Sequence, residues 1–550
     1  MPRDWDQVLS RFSAKDIKLE GLTSIAEMLG RAFEQHYDKV AISFMGHDIY
    51  YADLEAKIAR FAGFLQSELR LKKGDRLAIM LPNCPQFVVA FLAAQKVGVI
   101  CVNTNPLYTP REMLHQFRDS GATAIVILDL MAAKLEKILD QTLIRHIVVS
   151  SIADELPRAK RWLTKGLIKL RRAAPPFALD YTPWSKALAH PYESSLLKAD
   201  LGLDDLAMLQ YTGGTTGVAK GAMLSQRNIL ANMLQCLEVS RSACADGTET
   251  VLTAQPLYHI FALSINMLAL MAAGQHLILV PRPIPIRNTA RMFKKYRISI
   301  AMGVNTLFNA LNHDPLFRKL RPQVKFTFAG GMALQKSVAE EWQQITSGII
   351  FQGYGLTECS PLTHVSPPDG SGPIGSIGVP VASTEAKVVG PDGKPVPHGE
   401  TGELVIKGPQ VMVGYWQRPD ESAQVLKAGW LWTGDLARRD KNGYFWIVDR
   451  TKDMIVVSGF KVYPSEVEEV LAAHPKVLEV AVVGLPDAAG NEIVKAFVVK
   501  RDPSLTETEL THHAREQLTG YKVPRLIEFR SELPKSNVGK VLRRALREED

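Results

Sequence analysis

The stretch LAMLQYTGGTTGVAKGAMLSQRNILANMLQ, residues 206–235, decides the fold. LAMLQY reads as a buried strand, and Ser225 is placed to cap a helix over SQRNILANMLQ. Between them a threonine- and glycine-rich run precedes a lone lysine, Lys220. Glycine lets a backbone turn sharply and approach a ligand. Consecutive N–H groups beside threonine hydroxyls make a concave anion site, and a glycine-rich loop between strand and helix is where phosphates usually bind. A solvated Gly/Thr loop has the same composition, so the loop alone leaves both readings open. A P-loop NTPase is excluded. That motif needs a hydroxyl directly after the lysine to hold magnesium, whereas here Gly221 follows Lys220 and the hydroxyls Thr215 and Thr216 precede it.

Outward from this loop, short apolar runs alternate with helical patterns. LAIML (77–81), AIVIL (124–128), LILV (277–280) and KFTFA (325–329) read as buried strands, with helices at 85–97 and 335–346. That rhythm predicts βαβ units and parallel sheets covered by helices. From about residue 375 it changes. EAKVVG, GELVIKG and GYFWIVD are short strands between Gly/Pro turns, as in a small antiparallel barrel over about 375–448. After DRTKD (449–453) come a helix at 465–473, strands at 478–484 and 493–500, a helix at 508–518 and a strand at 525–529. The expected architecture is α/β. A large N-terminal domain, 1–451, holds two doubly wound parallel-sheet subdomains and the barrel, and a small α+β C-terminal domain, 452–550, follows.

At 550 residues the chain exceeds one ordinary core. Hydrophobic content of 46% and charge of 22% mark it as globular. A net charge of +8 suits anionic partners such as nucleotides, coenzyme A or anionic lipid; no nucleic-acid motif is evident. The cysteines, Cys84, Cys101, Cys236, Cys244 and Cys359, are odd in number and scattered. They form neither a disulfide framework nor a zinc site, and reduced cytosolic thiols are the plain reading. MPRDWDQVLSRF carries acids and no apolar core, unlike a signal peptide. IFALSINMLALMAAGQHLILV (260–280) is apolar but interrupted by Asn266, Gly274, Gln275 and His276. It reads as a buried helix, a glycine turn and a strand rather than a membrane span. LPRAKRWLTKGLIKLRRAAPPF (156–177) holds seven basic residues and no acid, with Trp162, Leu163, Leu167 and Leu170 able to share a helical face. It fits a membrane-surface helix and a solvated cationic helix equally.

Further motifs resolve the loop. YTGGTTGVAKGAML is followed by PLYHIFAL (256–263), AGGMAL (329–334), GYGLTECSP (353–361), GWLWTGDL (429–436), DRTKDMIVVSGFKVYPSEVE (449–468) and PKSNVGKVLRR (534–544). This ordered set resembles the adenylate-forming superfamily of acyl-CoA synthetases, luciferases and peptide-synthetase adenylation domains, from about residue 30 to the end. PLYHIFAL, GVNTLFNAL (303–311) and QLTGYKVP (517–524) make it most similar to the bacterial long-chain fatty acid–CoA ligases.

The resemblance implies a two-step reaction. A fatty acid carboxylate attacks the α-phosphate of ATP, giving acyl-AMP and pyrophosphate; the thiol of coenzyme A then displaces AMP. It implies that Thr212, Gly213, Gly214, Thr215, Thr216, Gly217 and Lys220 hold the β- and γ-phosphates. Glu358 binds Mg2+ and Thr357 touches phosphate. Tyr354 stacks on adenine, with Gly330 and Gly331 against the purine. Asp435 and Arg450 contact ribose. Lys540 is the catalytic lysine, bridging carboxylate and α-phosphate. Lys452 is the hinge about which the small domain rotates, after which Gly459 leaves room for pantetheine.

Two positions depart from the pattern: Trp432 stands where His is common, and Thr451 where Lys is. His259 lies where the acyl tunnel would meet the nucleotide, and reads equally as a gate or a packed core histidine. Apolar residues around 256–268 line a tunnel or form ordinary core. Medium-chain or aryl acids, and a carrier protein in place of coenzyme A, remain alternatives. A non-catalytic lipid-binding protein would need none of Glu358, Asp435, Arg450 and Lys540. The expected place is the cytoplasm, with peripheral contact at the inner membrane's cytoplasmic face through 156–177. A homodimer is left open.

Overall fold

Both halves of the 206–235 stretch are regular, but not in the expected order. The structure, a computed structural model, describes residues 3–171, 173–191, 199–212, 219–457, 460–486, 492–536 and 539–548. The strand Leu206–Thr212 is followed by a second strand, Lys220–Ser225, antiparallel to it, with Thr212 opposite Lys220. Only then does the helix Gln226–Arg241 begin. Ser225 is its cap as expected: its Oγ accepts from Asn228 N at 3.2 Å, while Ser225 N donates to Asn228 Oδ1 at 2.9 Å. KGAMLS buries Ala222 and Leu224 as part of the sheet, so the glycine-rich loop joins two strands of a hairpin. No helix N-terminus follows it directly, and any anion site there rests on loop N–H groups and Lys220.

Two large sheets carry the N-terminal part. The eight-stranded one runs, in order, Gly414–Tyr415, Lys220–Ser225, Leu206–Thr212, Ile100–Asn103, Arg76–Met80, Ala124–Leu128, His146–Ser150 and Thr182–Pro183; from Leu206–Thr212 onward the pairs are parallel. Leu77, Ala78, Ile79 and Met80 are fully buried, as a parallel strand covered on both faces requires. The nine-stranded sheet is parallel from Ile349–Gly355 through Phe326–Ala329, Ile300–Gly303, Thr250–Thr253 and His276–Leu279 to Val40–Phe44, with antiparallel edges. Residues of both sheets and the buried apolar residues of the helix Pro85–Lys96 belong to one continuous core.

The strands Glu385–Val389, Gly402–Lys407 and Trp430–Arg439 pair antiparallel in that order, and Trp430–Arg439 also pairs with Leu426–Lys427 and Phe445–Arg450. These five strands make up the small antiparallel element expected at about 375–448. The C-terminal region is α+β. Val477–Pro486, Glu492–Lys500 and Leu526–Arg530 form its sheet, with cores of its own beneath the helices Pro464–Ala472 and Glu507–Gln517.

The apolar run at 260–280 forms the buried π-helix Ala262–Ala269, a short helical turn, a left-handed Gly274 and the strand His276–Leu279. Among the described residues no helix is long and apolar enough to cross a membrane. Arg158–Leu170 is a helix with none of its residues buried; Trp162 is 78% exposed and Leu170 80%.

Candidate active site

The residues singled out at 330–358 and 435–450, together with Lys540, converge on the ends of the Phe326–Ala329 and Ile349–Gly355 strands and on the small sheet. Asp435 and Arg450 sit on neighbouring strands in direct register. Arg450 Nε lies 3.1 Å from Asp435 Oδ1, and the Tyr354 hydroxyl donates to Asp435 Oδ2 at 2.5 Å. Asp435 is nearly buried, yet each carboxylate oxygen has lone pairs to spare, so two ribose hydroxyls still find acceptors. Burial, with Asp435 beside it, pushes the Tyr354 phenol well above its usual range, keeping it a donor. Gly331 is left-handed at φ 79°, whereas Gly330 has ordinary van der Waals space around it. The left-handed turn alone accounts for glycine at 331.

Lys540 is delivered by a tight turn. Lys540 N donates to Ser536 Oγ at 3.2 Å and Ser536 N to Lys540 O at 2.7 Å. Gly539 is left-handed at φ 82°, and a Cβ there would come within 2.7 Å of Thr306 Oγ1. The Lys540 side chain then reaches over Gly331, its Cε 3.9 Å from where a Cβ on that glycine would stand. Burial first, then the Arg450 guanidinium, lower its pKa to about 8, against the opposing pull of Asp435 and Glu358. The site is therefore short of negative charge around this ammonium, which an incoming phosphate and carboxylate would supply. His259 lies in the same neighbourhood. Burial, and secondarily the Lys540 charge, push it down to about 4, so it is neutral at pH 7; its Nδ1 accepts from Phe261 N at 3.3 Å.

Glu358 and Thr357 occupy a single 3₁₀ turn after the Ile349–Gly355 strand. Glu358 Oε1 accepts from the Tyr415 hydroxyl at 2.7 Å. Lys220 pairs with Glu421, and its ammonium stands 5.3 Å from the centroid of the Tyr415 ring. Thr212 and Lys220 face each other at the base of the loop, while Gly213, Gly214, Thr215, Thr216 and Gly217 lie outside the described residues, as does Gly459. Lys452, two residues beyond Arg450, is exposed, its pKa lowered by partial desolvation and then by Arg450. Next to it Asp449 Oδ2 accepts from Ser465 N at 2.8 Å, and its Oδ1 lies 3.8 Å from Arg543 Nη1.

Tyr415, Glu421, Asp449 and Arg543 escape the sequence reading. Tyr415 lies 57 residues from Glu358, on a two-residue strand too short for any periodicity. Trp432 takes the Lys427 ammonium 4.6 Å from its ring centroid; Thr451 N donates to Gly434 O at 3.0 Å, a backbone bond that does not depend on the side chain there. All five cysteines are free. Burial raises the thiols of Cys84, Cys101 and Cys236 to about 12, and Cys359 is likewise pushed well up, which leaves them inert.

Among the described residues no three His, Cys, Asp or Glu side chains cluster as a metal cage. A magnesium ion taken up with a nucleotide needs only one or two carboxylates, because phosphates and water complete its shell. Glu358, held by one oxygen and, among the described residues, without a partner at the other, fits that demand.

A family model described as AMP-binding enzyme matches residues 29–416, and one described as AMP-binding enzyme C-terminal domain matches residues 466–540. A long-chain-fatty-acid–CoA ligase of Escherichia coli O6:H1 is 48% identical over 547 residues, 98% of each chain. One of Bacillus subtilis is 39% identical over 519 residues, 93% of this chain and 92% of the relative. The solved anthranilate CoA ligase AuaEII, in complex with anthranoyl-AMP, superposes with a TM-score of 0.86 at 25% identity, covering 97% of this chain and 99% of that one. With its fold, its motif order and these matches in agreement, the chain belongs to the AMP-binding enzyme family of adenylate-forming enzymes.

Proposed function

We propose that this chain is an ATP-dependent long-chain fatty acid–CoA ligase that works through acyl-AMP, releasing pyrophosphate and then AMP. The observation that carries the reading is the placing of Lys540 over Gly331, among Asp435, Arg450 and Glu358. The first step brings two anions together, so catalysis rests on positioning and on cations. Tyr354 stacks on adenine with Gly330 and Gly331 against the purine, and Asp435 and Arg450 take the ribose. Lys220 and the Thr212–Gly217 loop take the β- and γ-phosphates, with Thr357 on phosphate. Lys540, a compact point charge, bridges the substrate carboxylate and the α-phosphate. Glu358 would hold Mg2+, which neutralises phosphate charge when bound with ATP. Neutral His259 adjoins the reacting end and suits an apolar tunnel mouth.

For the second step the C-terminal domain, 452–550, rotates about Lys452. Lys540 withdraws, and Gly459 makes room for pantetheine as the thiol displaces AMP. Pyrophosphate release with ATP and magnesium, across fatty acids of graded length with and without coenzyme A, tests the whole. Turnover that rises with chain length and requires coenzyme A is expected. Release peaking on short or aromatic acids would discard the long-chain assignment, and thioester formation only on a phosphopantetheinylated carrier would discard coenzyme A.

The same reading places the enzyme peripherally on the cytoplasmic membrane face. On the helix Arg158–Leu170, Trp162, Leu163, Leu167 and Leu170 are exposed. Arg158, Lys169 and Arg171 have no ion-pair partner among the described residues, while Lys165 is tied to Asp154 at 2.7 Å. An unburied apolar face flanked by unpaired cations suits an anionic bilayer. Trp162→Glu with Leu170→Glu should abolish pelleting with anionic vesicles. Unchanged pelleting would remove the helix from this role.

A further inference from the structure

Tyr415 touches both side chains assigned to the phosphate end of the site. It stands on the strand Gly414–Tyr415, antiparallel to Lys220–Ser225 with Tyr415 opposite Ala222, and Trp416 N donates to Gly221 O at 2.8 Å. Its backbone is thus clamped to the strand that begins with Lys220. From that base the hydroxyl donates to Glu358 Oε1 at 2.7 Å, and the ring lies under the Lys220 ammonium at 5.3 Å. The ring is 9% exposed.

A glutamate on a short 3₁₀ turn has three rotatable bonds and many orientations for its carboxylate. One hydrogen bond from a fixed phenol selects among them and, among the described residues, leaves Oε2 without a partner. Where a single carboxylate binds an ion whose other ligands are phosphate and water, that orientation sets the affinity. The ring adds a cation–π surface beneath the Lys220 ammonium, which also pairs with Glu421.

We propose that Tyr415 is a positioning residue for adenylation, orienting Glu358 toward the nucleotide-borne divalent ion and seating Lys220 beside it. The inference rests on the assignment of Glu358 to the metal and Lys220 to phosphate.

The test uses the full chain saturated with a non-hydrolysable ATP analogue, with Mn2+ binding followed by electron paramagnetic resonance. Tyr415→Phe keeps the ring and removes only the hydroxyl. It should weaken Mn2+ about tenfold, while metal-free analogue binding changes less than about twofold and the melting temperature holds. Tyr415→Leu should weaken Mn2+ equally and also weaken metal-free analogue binding, because the seat for Lys220 is lost. Glu358→Gln is measured alongside. If it weakens Mn2+ while Tyr415→Phe does not, the role of Tyr415 is overturned and the metal assignment stands. If neither does, Glu358 is not the metal residue and the inference falls with it.

Discussion

Asp449 ties the C-terminal part of the chain to the small sheet, and replacing it with Asn should separate the two half-reactions. The Asp449 side chain is 1% exposed. Its Oδ1 accepts from Arg450 N at 2.7 Å, and its Oδ2 from Ser465 N at 2.8 Å, beyond the proposed hinge at Lys452. Arg543 Nη1 stands 3.8 Å away, held independently by Glu468 at 2.8 Å. Asparagine has one acceptor where aspartate has two, so one of the N–H groups faces a donor. The cross-hinge loss is one charge-assisted bond, about 1.5–3 kcal/mol, plus a loose ion pair worth about 0–1 kcal/mol. A loss of about 2 kcal/mol shifts the balance of domain orientations by about 30-fold. Quenched-flow measurement of acyl-AMP from ATP and fatty acid, without coenzyme A, should show adenylation slowed by up to that factor. Thioester formation from supplied acyl-AMP and coenzyme A should be unchanged or faster. Arg543 keeps Glu468, so the melting temperature should move little. An equal fall in both half-reactions would refute the reasoning, since it would mean general damage rather than a lost orientation.

Two other outcomes follow from the charges around the nucleotide residues. With its pKa lowered to about 8, Lys540 loses its cation as pH rises through that value, so kcat/KM for adenylation should fall above about pH 8. Bound phosphate favours the cation, so the corresponding limb of kcat should lie at higher pH; coincident limbs would contradict this. Glu421 pairs with Lys220 and stands beside Arg418 as an alternative partner at 3.8 Å. Glu421→Gln should lower KM for ATP by roughly two- to fivefold, the worth of a half-exposed ion pair, whereas a raised KM would show that Glu421 aids binding.

Much of this site was legible because its parts are local. Asp435, inside the strand Trp430–Arg439, and Arg450, at the end of Phe445–Arg450, were legible through their motifs, and the register of the two strands brings them together. Leu77–Met80 and Ala124–Leu128 are plain apolar runs because parallel strands are buried on both faces. The hairpin at Thr212–Lys220 was not legible: KGAMLS is apolar enough for a strand but abuts a well-capped helix start, and the cap signal at Ser225 drew the helix toward the loop. Tyr415 escaped because a hydroxyl–carboxylate contact across 57 residues leaves no periodic trace, and Glu421 because its partner Lys220 is still more distant in sequence.

The most direct test of the account is Lys540→Ala, assayed separately in the two half-reactions. Removing a preorganised cation from the reacting phosphate should slow acyl-AMP formation by at least about 10²–10³-fold, while thioester formation from supplied acyl-AMP stays within about threefold of the parent, because Lys540 has left the site by then. Equal loss in both steps, or none in the first, would contradict the placing of Lys540 at the centre of the chemistry.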